Sequence, residues 1–305
     1  MEQSRVIGVD VGGTKILAAV VSRDGSLGAR LERPSDHSSQ DALLAELDSL
    51  IEELQRAEPD ARALGLGVPS RIDQRVGVAI ASANIPLVGV PLRDVMQARL
   101  GLPVVIENDA NAAAIAEWVA GAGRGTRDMV MLTLGTGVGG GLILGGKPYR
   151  GSIGAGVELG HVVLVHDGLP CSCGGRGHVE SYVSGTAADA IAREAFGPDA
   201  DAHELVRLAR EGDPTAVELL AEIGRKLGSA IGSLINTFDP ELIVIGGGFA
   251  AAGELLLAPA REVIAREALK PMRDSVRIVD AELGTSAGMV GAALAAFEPL
   301  DAAAA

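Results

Sequence analysis

The sequence predicts an α/β protein of two lobes, built on a duplicated plan. Three observations carry that expectation. Two β-patterned runs, one at the start of the chain and one near its middle, each lead into a glycine-rich turn, DVGGTK and LGTGVGGG. Strand-like and helix-like segments then follow each run in alternation. The 305 residues, 48% of them hydrophobic, suffice for a core in each lobe.

The elements follow in order. Residues 5–10 (RVIGVD) read as a strand, with 16–22 as its hairpin partner. Leu43, Leu44, Leu47, Leu50, Ile51 and Leu54 recur at helical spacing and predict a helix over 42–56. Residues 63–68 form a strand closed by Pro69, and 91–100 a helix with Pro91 in its first turn. A strand over 103–106 stops at Glu107-Asn108-Asp109, and a helix occupies 110–120. The second run has a strand at 128–134, the glycines 135–141, and a resumed strand at 142–144. Helices are expected over 186–195, 202–210 and 214–238, a buried strand over 242–245, and a closing helix over 287–297. The Ala-rich end, 300–305, reads as a frayed tail.

Composition narrows the function. Only 2% of residues are aromatic, so Ala, Val, Leu and Ile must build the core. No run reaches the roughly 18 apolar residues of a membrane span. The start, MEQSRVIGVDVGG, lacks the basic and apolar regions of a signal peptide, so the expectation is a cytoplasmic protein. The net charge of −14 disfavours nucleic acid and anionic membrane as partners. Cys171 and Cys173 lie two positions apart, awkward for a disulfide, and a cytosolic cluster of this kind points to metal or catalysis.

Both glycine turns suit phosphate. In Asp10-Val11-Gly12-Gly13-Thr14-Lys15 the glycines allow close backbone approach, and Thr14 and Lys15 add a hydroxyl and a cation. Leu134 to Gly141 follows the same logic. Tight hairpins that need only positive-φ residues would have the same composition. Neither turn is a Walker A loop or a Rossmann turn. Asp109, at a strand end and a helix start, fits an N-cap as well as a base.

The pairing of DVGGTK with LTLGTGVGGG resembles the actin-type sugar kinase fold, a two-lobed (ribonuclease H-like) ATPase fold with a central cleft for nucleotide and sugar. That resemblance implies that Asp10, Gly12, Gly13, Thr14, Lys15, Gly135, Thr136 and Gly137 handle the phosphates of ATP. The run 234–241 resembles the segment that cradles adenosine, with Gly247 and Gly248 against the nucleotide. Glu158-Leu159-Gly160-His161 and the run from Cys171 to Glu180 resemble the ROK (repressor, open reading frame, kinase) signature, E-x-G-H followed by C-x-C-G-x-x-G-C-x-E. The resemblance extends from DVGGTK to the terminal LGTSAGMVGAA.

The family pattern implies a small lobe of 1–111 plus 287–301 and a large lobe of 112–286 carrying a zinc loop. It implies a cytoplasmic homodimer that uses Mg-ATP to phosphorylate the 6-hydroxyl of a hexose, with glucose ahead of N-acetylmannosamine, N-acetylglucosamine, mannose and fructose. Asp109 would be the catalytic base, and Asn84, Asn108, Glu158, His161 and Glu180 would contact the sugar. Residues 67–71, GVPSR, depart from the usual V-P-G of the family. His178 stands where the family has its third cysteine, so zinc would be held by His161, Cys171, Cys173 and His178, with His166 as a rival ligand. Inert core cysteines, or a site that has lost its metal, are the alternative. His37 and His203 are expected at the surface. A sugar-responsive ROK regulator is the reading from another class; it would need a DNA-binding domain before the first strand, and only four residues precede it.

Overall fold

The computed structural model describes residues 4–82 and 85–304. The strands are β1 (Arg5–Val11), β2 (Lys15–Ser22), β3 (Leu27–Pro34), β4 (Ala61–Val68), β5 (Ser70–Asp73), β6 (Val78–Ser82), β7 (Val104–Asn108), β8 (Met129–Leu134), β9 (Val138–Leu144), β10 (Lys147–Pro148), β11 (Leu242–Gly246) and β12 (Arg277–Asp280). The helices are α1 (Gln40–Ala57), α2 (Leu92–Leu100), α3 (Asp109–Ala120), α4 (Glu180–Val183), α5 (Gly185–Phe196), α6 (Ala202–Arg210), α7 (Pro214–Phe238), α8 (Glu254–Glu267), α9 (Met272–Ser275), α10 (Ala287–Ala295) and α11 (Phe297–Ala304).

The chain divides into two compact units. One comprises Met1–Gly125, Gly141–Val157 and Glu282–Ala305; the other comprises Thr126–Gly140 and Glu158–Ala281. Helix α3, expected beyond a boundary at residue 111, belongs to the first unit, as do residues 141–157. The cause is packing: Gly291 of α10 lies so close to α3 that a Cβ there would meet Ala112 O at 1.6 Å.

The first sheet has the order β3-β2-β1-β4-β7, antiparallel for β3, β2 and β1 and parallel for β1, β4 and β7. The second runs β10-β9-β8-β11-β12, with β8, β11 and β12 parallel. The strand order repeats, which is the duplication expected from the paired glycine turns. In the first sheet, parallel register aligns Asp10 with Gly67 and Gly67 with Glu107. At the carboxyl ends of the parallel strands, Asp10 of β1 and Glu107 and Asn108 of β7 therefore flank Gly67 and Val68 of β4.

The core of the first unit packs α1 onto the sheet through Leu43, Leu44, Leu47, Leu50, Ile51 and Leu54, all buried. Against the sheet lies α10, an alanine- and glycine-rich helix. A Cβ on Gly8 would meet Met289 O at 2.2 Å, and one on Gly65 would meet Ala292 O at 1.8 Å. Glycine here serves close packing, and so few aromatic residues suffice. Glu117, fully buried on α3, accepts from the backbone N–H groups of Ala122, Glu282 and Leu283 at 2.9, 3.1 and 2.7 Å. In the second unit Asp213 caps α7, and Pro214 opens it.

Three expectations change. Gly139–Gly141 are strand residues of β9, not loop: a Cβ on Gly140 would meet Leu159, and one on Gly141 would meet Ala114. Residues 300–304 are not frayed; they continue α11, and Asp301 pairs with Arg23. His37 is half-buried with both ring nitrogens enclosed, whereas His203 is exposed as expected. No helix among the described residues is long and apolar enough to cross a membrane.

Candidate active site

Neither glycine turn uses left-handed backbone. Gly12, Gly13, Gly135 and Gly137 are all absent from the glycines at positive φ, which rules out the plain hairpin account of their composition. Gly12 and Gly137 instead admit close neighbours: a Cβ on Gly12 would meet Lys15 O at 2.8 Å. Gly12 N donates to Lys15 O at 2.9 Å, and Gly13, Thr14 and Lys15 are exposed at the turn. Lys15 Nζ lies 3.3 Å from Glu32. A Cβ on Gly137 would meet Glu180 Oε2 at 2.3 Å, and the same oxygen accepts from Val138 N at 3.0 Å. Gly247 is different: it has φ of 89°, and a side chain would strike Leu134 O at 2.3 Å.

Within the second unit, a cavity of about 490 Å³ is lined by Gly135 and Thr136, by Gly185, Thr186 and Asp189 of α5, by α6, and by Gly248 to Ala252. Its size suits a nucleoside. Gly185 N and Thr186 Oγ1 donate to the carbonyls of Gly135 and Thr136, at 2.7 and 2.8 Å, and so fix the loop that forms one wall. Arg210 donates to Ala251 O at 2.6 Å, and Arg207 is held between Glu204 and Glu211. Gly248 lines the cavity together with residues of α6, and the run 234–241 is not part of that lining. Nothing in the amphipathic α6 sequence, with its ordinary charge pairs, marks it as lining a cavity.

At the end of β7, Asn108 caps α3: its Oδ1 accepts from Ala110 N and Asn111 N at 3.0 and 3.1 Å. The cap is therefore Asn108, and Asp109 is the first residue of the helix, with Oδ1 accepting from Ala110 N at 2.9 Å. Asn108 Nδ2 donates to Ser70 O at 3.4 Å. Burial, and then the neighbouring Asp109 carboxylate, push the Asp10 carboxyl up to about 7, against a downward pull from Lys15. Asp10, Lys15 and Asp109 thus share one electrostatic environment. Asn84 lies outside the described residues.

In the second unit, Glu158 precedes a single 3-10 turn, Leu159–His161, and His161 Nε2 lies 3.9 Å from Glu158 Oε2. The other ring nitrogen of His161 faces Cys171 Sγ at 3.7 Å, and Cys173 Sγ lies 3.3 Å from His178 Nδ1. The donor atoms of His161, Cys171, Cys173 and His178 all lie within 4.8 Å of one another. Tetrahedral zinc, with Zn–S near 2.3 Å and Zn–N near 2.0–2.1 Å, sets sulfur and nitrogen about 3.6 Å apart, so the donor set fits the metal. Gly175 makes room for the ring of His178: a Cβ there would meet His178 Cε1 at 2.4 Å. Burial pushes the Cys171 thiol up, with Cys173 and Glu180 contributing. His166 is excluded as a ligand; it is 94% exposed and sits beside Asp167. Glu180 Oε1 lies 3.3 Å from Ser172 Oγ and 3.6 Å from Cys171 Sγ, so one carboxylate touches both the cysteine loop and the glycine loop.

Repeated sheets with glycine turns at their starts define the two-lobed, actin-like ATPase class. Comparison with solved structures agrees. The chain superimposes on a ROK hexokinase from Thermus thermophilus with a TM-score of 0.87 and 37% identity, covering 98% of this chain and 99% of that one. A ROK family glucokinase from Streptomyces griseus, solved with glucose and AMPPNP, gives 0.82 and 35%, covering 96% and 99%. The glucokinase of Streptomyces coelicolor is 37% identical over 314 residues, 96% of this chain and 98% of that protein. Residues 6–298 match the ROK family, and the chain belongs to it.

Proposed function

We infer that this protein is an ATP-dependent sugar kinase that phosphorylates glucose at its 6-hydroxyl. Glucokinase relatives at 36–37% identity over nearly the whole chain support the substrate. The observation that carries the mechanism is at the start of α3. Asn108 supplies the cap, and the carboxylate of Asp109, the first residue of the helix, shares its surroundings with Asp10 and Lys15 of the first glycine turn.

In this reading Asp109 accepts the proton of the sugar 6-hydroxyl as that oxygen bonds to the γ-phosphorus of ATP. The bond from phosphorus to the bridging oxygen breaks, ADP leaves, and Asp109 later returns its proton to water. Phosphoryl transfer runs through a loose transition state, so position matters more than basicity, and a carboxylate at a helix N-terminus is adequate. Magnesium accompanying ATP would neutralise phosphate charge beside Asp10. Asn84, Asn108, Glu158, His161 and Glu180 are assigned to sugar hydroxyls. The 490 Å³ cavity suits the nucleoside of ATP, with Gly248 in its lining.

His161, Cys171, Cys173 and His178 would hold zinc, which would fix the cysteine loop. With Nδ1 of His161 as the zinc ligand, Nε2 would carry the ring proton on the side of Glu158, where it could donate to a hydroxyl. The net charge of −14 supports a protein without nucleic-acid partners, and a cytoplasmic homodimer completes the proposal.

The test is Asp109→Asn. General-base catalysis is worth about 10²–10⁴-fold, so kcat should fall by that factor with glucose binding retained. Near-normal turnover removes Asp109 from the mechanism. The wild-type assay, run across the five candidate sugars, also separates a kinase from a sugar-binding regulator.

A further inference from the structure

One buried charge in the first unit is not used by the mechanism. Glu107, the residue before Asn108, is fully enclosed. Its Oε2 lies 2.6 Å from Arg150 Nε, and its Oε1 accepts from Asn108 N at 3.2 Å. Arg150 also reaches Glu298 through both terminal nitrogens, at 3.3 and 2.8 Å. The segment carrying Arg150 is tied to the same strand end a second time. Gln74 Nε2 donates to Ile106 O at 2.6 Å, and Gln74 N donates to Ile153 O at 2.8 Å. Gly154, at φ of 90°, leaves the space that Gln74 fills.

Stability alone does not explain such a pair. Apolar side chains of similar volume commonly stabilise a fold as well as a buried ion pair, or better. What the ions add is direction. Nε of Arg150 fixes one oxygen of Glu107, which turns the other toward the N–H of the cap residue. We propose that Glu107 and Arg150 form a positioning pair for Asp109, holding the end of β7 so that the cap, and the carboxylate after it, take one fixed orientation. This rests on Asp109 being the base. A misplacement of about 1 Å at a reacting group can cost on the order of 10²-fold in rate.

Burial pushes the Glu107 carboxyl up, and Arg150 opposes that rise. Without Arg150, nothing of comparable charge opposes the upward push of burial on Glu107, and the ion pair that fixes the orientation of its oxygens is lost. Lysine is no substitute, because one ammonium cannot serve Glu107 and Glu298 in the fork geometry of a guanidinium.

The experiment compares Arg150→Met, Arg150→Lys, Glu107→Gln and the double variant Glu107→Gln/Arg150→Met, with Glu298→Gln as a control on the exposed side. It measures kcat per nucleotide-binding site, KM for glucose and ATP, the pH profile of kcat, and Tm. The single variants at Glu107 and Arg150 should lose about 10–100-fold in kcat with KM for ATP within about twofold. In the pH profile of kcat, Arg150→Met should show an inflection shifted upward from the ordinary carboxylate range, which the double variant lacks. The double variant should recover Tm, since two neutral side chains replace two ions, yet keep a kcat at least tenfold low. Glu298→Gln should stay within about threefold of wild type. A double variant with both Tm and kcat restored overturns the proposal, as do single variants that lose Tm at unchanged kcat per site. If Asp109→Asn itself keeps turnover, the base assignment fails instead; its loss beside a fully active double variant sinks only the pair.

Discussion

At the scale of single residues, the two carboxylates of the first unit hold opposite ends of one electrostatic problem. Asp10 lies at the penultimate position of β1 and Asp109 opens α3, and the Asp109 carboxylate disfavours the charge of Asp10. The raised pKa of Asp10, about 7 against an ordinary 3.8, has a definite sign for stability. The folded state binds the Asp10 proton more tightly than the unfolded chain does. Its contribution is therefore complete below about pH 3.8 and is lost as pH rises through 7. A tenfold difference in proton affinity corresponds to about 1.4 kcal/mol, so the loss is on the order of a few kcal/mol. Urea unfolding of wild type and Asp10→Asn across pH 4–8, without nucleotide, should show wild type falling progressively relative to the variant. A difference independent of pH would mean that Asp10 is not strained by its surroundings. The sequence exposed Asp109 as a candidate but could not say whether Asn108 or Asp109 makes the cap, since both side chains suit that position. Glu107 was passed over because its partner, Arg150, lies 43 positions away, and nothing local in Glu-Asn-Asp marks the first residue as buried.

At the scale of elements, legibility followed the strength of the local pattern. Helix α7 emerged with the bounds expected, because a capping Asp213, an opening Pro214 and an apolar stripe all agree. Strand β3 was missed: it is a polar, mostly exposed edge with alternating half-buried residues, so no apolar run announces it. The β5–β6 hairpin and α8 were missed as well, the latter because Pro259 lies inside the helix. The cysteine loop was legible as a motif, and the four donors that the family resemblance implied, His161 included, lie together in the fold, while the rival His166 lies outside them. If the four donors hold zinc, metal and sugar affinity should be linked through Glu180, which contacts both Cys171 and Ser172. Purified protein should contain about one zinc per chain. His178→Ala should release it and weaken glucose binding, and His178→Cys should restore both. Metal analysis and calorimetric glucose titration check this; a metal-free wild type that binds glucose fully would reduce the loop to a relic of the family pattern.

At the scale of the whole molecule, the duplication was readable from the two glycine turns, because a hairpin at the start of each sheet recurs at the same place in the repeat; the strand order was not, since the polar edge strand β3 has no apolar signature. The division of residues between the two units was not, because α3 is drawn to α10 by missing side chains: Gly291 admits a backbone approach that no hydrophobic pattern reports. Global charge leads to a last expectation, about the phosphoryl donor. A polyphosphate chain carries a charge on every phosphate and needs a track of free cations. This chain has 40 acidic residues against 26 basic ones. The arginines of the second-unit cavity are engaged, Arg207 by Glu204 and Glu211 and Arg210 by the Ala251 carbonyl, while Lys15 at the first turn already faces Glu32. The cavity instead offers glycine walls, Val206, Phe249 and alanines, surfaces that suit a base and ribose better than a polyanion. ATP with magnesium should therefore support a kcat/KM at least about tenfold above that of long-chain polyphosphate. That gap should widen with added salt, which screens a polyanion's attraction far more than it weakens nucleoside burial. Coupled assays of glucose phosphorylation with each donor, at low and physiological ionic strength, decide the matter. Faster turnover with polyphosphate would show that local cations outweigh the charge of the molecule.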